Sequence, residues 1–88
     1  MTEEYLLGID IGTSACKTAL FTKEGKVKAA SLRDYPVYYP KPGWAEQNPD
    51  EWWEAVCDSI KKVLGSSGVR PAQIAGIGID GQSWAAVA

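Results

Sequence analysis

The sequence predicts an α/β fold: a three-stranded antiparallel meander, one helix, and a fourth strand running parallel to the first. Three observations predict it. Residues 5–35 hold three short apolar or alternating runs separated by turn residues, residues 48–65 carry the caps and apolar spacing of an amphipathic helix, and residues 74–79 (IAGIGI) are apolar on both faces. At 88 residues the chain has room for one modest domain.

The first run, residues 5–10, is too short for a helix and is bounded by Gly12, so it reads as a buried strand. Residues 15–21 form the second strand, with Ala15, Lys17, Ala19 and Phe21 on one face and Cys16, Thr18 and Leu20 on the other. The KEGK stretch, residues 23–26, offers Gly25 for a left-handed turn position, and residues 27–35 return as a less regular third strand near an edge. Pro36, Pro40, Pro42 and Gly43 then forbid regular structure, while Tyr38, Tyr39 and Trp44 mark an ordered loop rather than a flexible linker.

Asn48 is a good helix N-cap, Pro49 fits the first helical position, and Glu51 stands where it could complete a capping-box-like pair with Asn48. Trp52, Val56, Ile60 and Val63 or Leu64 recur at helical spacing with Trp53 beside them, a stripe that reads as core. Asp50, Glu51 and Glu54 at the start and Lys61 and Lys62 at the end complement the helix dipole, and Gly65 fits a C-cap. The apolar run 74–79 is expected as a central parallel strand, reached by a right-handed crossover. Asp10 and Asp80 then stand at the carboxyl ends of two parallel strands, the edge at which open α/β sheets bind ligands.

Composition narrows the function. A net charge of −2, a pI near 5.0 and nine scattered basic residues argue against a nucleic-acid surface. No apolar stretch approaches the roughly 20 residues that span a bilayer, and the start MTEEYLL lacks a basic n-region, so a cytoplasmic location is expected. Cys16 and Cys57, far apart and without any histidine in the chain, read as reduced, half-buried thiols rather than a zinc site. The apolar ending GIGIDGQSWAAVA shows no cap or tail, which suggests a chain that stops inside a fold.

Two clusters could carry chemistry. Asp10 ends an apolar strand, where a carboxylate facing a cleft can hold a hydrated magnesium ion. Gly12 lets backbone approach a phosphate, Thr13 and Ser14 supply hydroxyls and amides, and Lys17 can reach back with a point charge. A tight turn with one solvated acid and one solvated lysine accounts for the same residues, and no GxxxxGK[ST] loop is present, so both readings stay open. Asp80, Gln82, Ser83 and Trp84 follow the fourth strand, and an amide, a hydroxyl and an indole together suit a polyhydroxylated ligand. A plain loop with Trp84 in the core explains them equally well.

Taken together, three stretches resemble a known family. GIDIGTSACK is similar to the first phosphate motif of the actin, Hsp70 and sugar-kinase superfamily, whose fold is RNase H-like. YYPKPGWAEQNPDEWWEA resembles a segment of FGGY carbohydrate kinases, and IAGIGIDGQSWAAV resembles the strand and sugar-contacting turn that follow it. The three occur in family order over nearly the whole chain.

The resemblance implies the amino-terminal portion, residues 1–88, of the first domain of an ATP-dependent kinase acting on a sugar or polyol hydroxyl. It puts Asp10 at the magnesium ion, Thr13, Ser14 and Lys17 near the ATP phosphates, and Gln82, Ser83 and Trp84 at the sugar. Xylulokinases carry Met-His and glycerol kinases Arg-Glu after GQ, where this chain has Ser83 and Trp84, so no substrate carries over. Overall spacing and the GQ turn lie nearer the xylulokinase-like branch, which favours a pentulose. The family's general-base aspartate and adenosine pocket fall beyond these residues, so no catalytic residue is expected here and the chain alone is expected to be inactive. The resemblance admits a homodimer of the longer protein. Two other classes remain: an RNase H-like nuclease using Asp10, Glu51 or Glu54, and Asp80 around two metals, and a non-catalytic binding module.

Overall fold

The structure is a computed structural model that describes residues 3–81. Its strands β1 (Tyr5–Ile11), β2 (Ala15–Thr22), β3 (Val27–Asp34) and β4 (Ile74–Asp80) form one sheet in the order β3-β2-β1-β4. β2 runs antiparallel to both β1 and β3, and β4 runs parallel to β1. The helix α1 (Pro49–Ser67) makes the crossover, and a short 3-10 turn (Pro71–Gln73) delivers the chain into β4. This is the meander, helix and parallel strand that the residue pattern predicts, with β3 at the expected edge.

Alternation along the strands decides what is buried. Tyr5, Leu7 and Ile9 of β1 and Cys16, Thr18 and Leu20 of β2 point to one face, where Ala55, Val56, Ser59 and Val63 of α1 cover them. At the centre of this contact lie two hydroxyls rather than two methyls. Thr18 Oγ1 and Ser59 Oγ are 2.6 Å apart and fully buried, and Ser59 in turn donates to the Val56 carbonyl at 3.1 Å. Cys16 Sγ stands 3.7 Å from Ser59 Oγ and is fully buried rather than half-buried, whereas Cys57 is partly exposed.

The helix begins as its residues predict and ends later. Asn48 Oδ1 accepts the Asp50 N–H at 3.0 Å, with Pro49 in the first helical position. Glu51 does not close a capping box: its Oε1 accepts a hydrogen bond from the Tyr38 hydroxyl, and its buried Oε2 has no hydrogen-bond partner among the described residues. The C-cap is Gly68, at φ 73, whose N–H donates to the Leu64 carbonyl at 3.0 Å. Gly65 lies inside the helix, which continues through Ser66 and Ser67 and ends where Gly68 takes the left-handed conformation. Lys61 and Lys62 therefore sit upstream of the last turn, which holds no basic residue. Lys62 instead lies 3.7 Å from Asp58, which also pairs with Arg33 of β3. Trp53 is 68% exposed and falls off the packing stripe, while Trp52, Ile60 and Leu64 flank it.

The run expected as a central strand is an edge among the described residues. β4 pairs with β1 on one side, and its Ile77 and Ile79 are 60% and 70% exposed. The cause is the position of α1, which lies over β2 and β3 and leaves the same face of β4 uncovered by described residues. Loop 35–48 is ordered, as its aromatic content suggests. Tyr38 and Glu46 exchange two backbone hydrogen bonds, of 2.6 and 2.7 Å, and Lys41 Nζ stands 4.7 Å from the Trp44 ring centroid. Gly25 adopts φ 86 in the β2–β3 hairpin. No helix among the described residues is long and apolar enough to cross a membrane.

Two outcomes follow from these contacts. Ser59→Ala leaves the buried Thr18 hydroxyl with only the weak Cys16 thiol contact at 4.0 Å and should cost about 1–3 kcal/mol in chemical denaturation, whereas Thr18→Val leaves Ser59 bonded to Val56 and should cost less. The guanidinium of Arg33, hydrogen-bonded to Asp58, holds that carboxyl below its ordinary range against the opposing effect of desolvation. Because the folded value is the lower one, the stabilisation is present above the unfolded value, near pH 4, and is lost as pH falls through the folded value. Asp58→Asn should therefore lower the melting temperature modestly at neutral pH, and the two proteins should converge on acidification. A constant difference between their melting curves at all pH values would contradict this.

Candidate phosphate-binding site

The face of the sheet opposite α1 carries Leu6, Gly8 and Asp10 of β1 with Lys17, Ala19 and Phe21 of β2, by the same alternation that builds the core. Register then places the charges. Asp10 pairs with Lys17 on β2 and with Asp80 on β4, so a lysine and two carboxylates stand in one row across three strands. Beside them Gly8, Ala19 and Gly78 form a floor of bare backbone and one methyl, within a concavity of about 530 Å³. A Cβ at Gly78 would meet nothing within 4 Å, while one at Gly8 would lie 3.1 Å from the Phe21 ring. Gly81 N–H donates to Asp80 Oδ1 at 3.0 Å and orients that carboxylate at the strand end.

The turn from Gly12 to Ala15 borders the row. Its own closure is a single hydrogen bond, from Gly12 N–H to the Ala15 carbonyl at 2.9 Å. Everything else that holds it comes from loop 35–48. Tyr35 N–H donates to the Ser14 carbonyl at 3.1 Å, the Tyr35 hydroxyl donates to the Gly12 carbonyl, and Gln47 Nε2 donates to the Thr13 carbonyl. Space at Gly12 is tight, since an added Cβ would stand 3.2 Å from the Ala15 carbonyl oxygen. Thr13 and Ser14 are exposed.

Trans planarity of the peptide unit converts these bonds into a statement about the amides. The Gly12 and Thr13 carbonyls point to Tyr35 and Gln47, so the Thr13 and Ser14 N–H groups, in the same two peptide units, point away from them. Neither N–H bonds to a described residue. Two free amides, two hydroxyls and a nearby lysine make an arrangement suited to an anion.

The structure thus brings together Asp10, Gly12, Thr13, Ser14, Lys17 and Asp80 at one end of the sheet. Gln82, Ser83 and Trp84 lie outside the described residues. Glu51 bonds Tyr38 and Glu54 lines the separate patch at Arg33 and Trp53, and no group of three or more acidic, cysteine or histidine residues that could hold a metal occurs among the described residues. The nuclease reading, with Asp10, Glu51 or Glu54, and Asp80 around two metals, therefore has no support from the described geometry. The donors present suit a hard cation that keeps several waters and takes its remaining oxygens from phosphate, as Mg2+ does. Tyr35 and Gln47 are site residues that the residue pattern gave no sign of, because each acts on a turn more than twenty positions away.

Known proteins are similar to this chain in sequence and in overall fold. Residues 5–88 match the FGGY family of carbohydrate kinases, N-terminal domain. Over 82 residues the chain is 44% identical to glycerol kinase 1 of Lactiplantibacillus plantarum, covering 93% of this chain and 16% of that protein. It is 42% identical over 80 residues to glycerol kinase of Bacillus subtilis, with 91% and 16% covered. Among solved structures, a xylulose kinase from Brucella ovis superposes with a TM-score of 0.85 at 33% identity, covering 90% of this chain and 17% of that one. Gluconate kinase from Lactobacillus acidophilus gives a TM-score of 0.83 at 31% identity, with 92% and 16% covered. The chain spans about a sixth of the length of these relatives. With residues 5–88 matched by the family model and the backbone superposing on solved sugar kinases, the chain belongs to the FGGY family of carbohydrate kinases, matching its N-terminal domain.

Proposed function

We propose that this chain is the amino-terminal portion of the first domain of an ATP-dependent kinase that phosphorylates a sugar or polyol hydroxyl. The observation that carries the reading is the row Lys17–Asp10–Asp80 set beside a turn whose carbonyls are drawn off by Tyr35 and Gln47. Thr13 and Ser14 would offer amides and hydroxyls to the ATP phosphates, and Lys17 would place a positive charge across from them. Mg2+, held by Asp10, would supply neutralisation of charge on the phosphate oxygens. Asp80, with Gln82, Ser83 and Trp84 after it, would contact the acceptor sugar, the amide and hydroxyl by hydrogen bonds and the indole against C–H groups.

Phosphoryl transfer depends on positioning and charge from all sides of the reacting group. These residues would make one wall, and the general base and adenosine pocket would come from the remainder of a longer protein, since the chain spans about a sixth of the length of its relatives. The reading places the enzyme in the cytoplasm, where ATP is supplied, and leaves room for a homodimer of the longer protein. A pentulose is the favoured acceptor on the GQ turn, and the glycerol kinases among the relatives support glycerol as the second reading.

A coupled ADP-release assay tests this on the protein encoded by the full reading frame, screened over pentuloses, polyols and aldonates. Sugar- or polyol-dependent ADP release is expected, and the 88-residue chain alone should give none. No release with any acceptor would sink the proposal. In the active protein, Asp10→Asn should lower turnover about a hundredfold or more, while its melting temperature stays close to wild type, as for an exposed residue outside the core. Equal losses of activity and stability would instead return Asp10 to a plain turn role.

A further inference from the structure

Tyr35 is the first residue after β3, and it is only 6% exposed although it opens a loop. It engages three of the four carbonyls in the Gly12–Ala15 turn. Its N–H donates to Ser14 O at 3.1 Å, its hydroxyl donates to Gly12 O, and the same hydroxyl lies 3.0 Å from Ala15 O. The fourth carbonyl, Thr13 O, takes Gln47 Nε2 from the other end of the same loop. A two-residue β-hairpin turn ordinarily closes itself through reciprocal bonds between the flanking residues. Here the bond from Ala15 N–H back to Gly12 O is missing, and the Tyr35 proton serves that carbonyl instead.

We infer that the Tyr35 hydroxyl, with Gln47 as its counterpart, is a positioning latch that presents the Thr13 and Ser14 amides to the nucleotide phosphates. The inference rests on the phosphate-site reading above and deepens it. An unlatched Gly12 carbonyl would be free to rotate toward Ala15 N–H and close the hairpin. The rotation would carry the Thr13 N–H with it, since both belong to one peptide plane. The amides would then no longer be held outward for a phosphate. Burial, followed by the nearby Cys16 and Asp10, holds the Tyr35 phenol above its ordinary pKa, so the hydroxyl keeps the proton it donates throughout the neutral range.

Tyr35→Phe preserves the ring in its packing site and removes only the latch. In the full-length kinase it should raise KM for ATP about three- to tenfold, as expected for one lost orienting hydrogen bond, with KM for the acceptor unchanged. Wild-type activity measured alongside separates the two ideas. An inactive wild type defeats the phosphate-site reading itself, while an active wild type with an unaltered ATP KM in the variant defeats the latch alone. A fall in melting temperature with both KM values unchanged, or with both raised equally, also overturns it, because a merely structural tyrosine predicts that result. If Tyr35→Phe does not fold, Gln47→Leu reads the same latch from its other side: a selective rise in ATP KM supports it, and an unchanged ATP KM overturns it.

Discussion

Every feature of the site depends on the register of β1, which is hydrogen-bonded on both sides. Side chains alternate along a strand, so β1 must send Tyr5, Leu7 and Ile9 into the core and Leu6, Gly8 and Asp10 to the opposite face. A slip of one residue against either neighbour would turn Asp10 to the core face and expose Ile9. Burial of the apolar set therefore fixes the position of the acid. The same constraint aligns Asp10 with Lys17 on one side and Asp80 on the other. A hydrophobic requirement on one face has thus become an electrostatic arrangement on the other.

The two faces are treated differently because the single described helix covers one of them. Against α1 the sheet offers Leu7, Leu20 and a buried hydroxyl pair, Thr18 with Ser59, which ties strand to helix through directional bonds rather than through volume alone. Away from α1 the central positions shrink to Gly8, Ala19 and Gly78, so backbone lies open beside the charged row. Small side chains there keep the surface accessible, and opposite charges in register keep it from being uniformly repulsive to an anion. Lys17 and the amides of Thr13 and Ser14 favour phosphate, and the two acids favour a cation next to it.

Loop 35–48 joins these layers. Its ends meet the turn through Tyr35 and Gln47, and its middle is pinched by the Tyr38–Glu46 bridge. Tyr38 also reaches Glu51 at the first turn of α1, which places the helix start, the loop and the β1–β2 turn in one connected set. The hydroxyls of Tyr35 and Tyr38 thus do what a shorter connection would do by backbone geometry alone.

Local chemistry by itself determined the element order, the helix start at Asn48 and Pro49, the β2–β3 hairpin at Gly25 and the strand-end acids. Each of these depends on periodicity or capping within a few residues, and so does the family likeness of GIDIGTSACK. Only tertiary structure decided the rest. Gly65 and Gly68 are both competent to end a helix, and it is Gly68 that takes the left-handed conformation. Glu51 could cap Asn48, but one of its carboxylate oxygens pairs with Tyr38 of the preceding loop and the other makes no hydrogen bond among the described residues. Trp53 carries the right spacing to be core, yet α1 is rotated so that Ala55, Ser59 and Val63 meet the sheet. The role of Tyr35 has no local signature at all, because a buried phenol finds its acceptor across twenty-three positions of chain. Short-range periodicity is written in neighbouring residues, whereas hydrogen bonds between distant segments exist only once packing has brought their partners together.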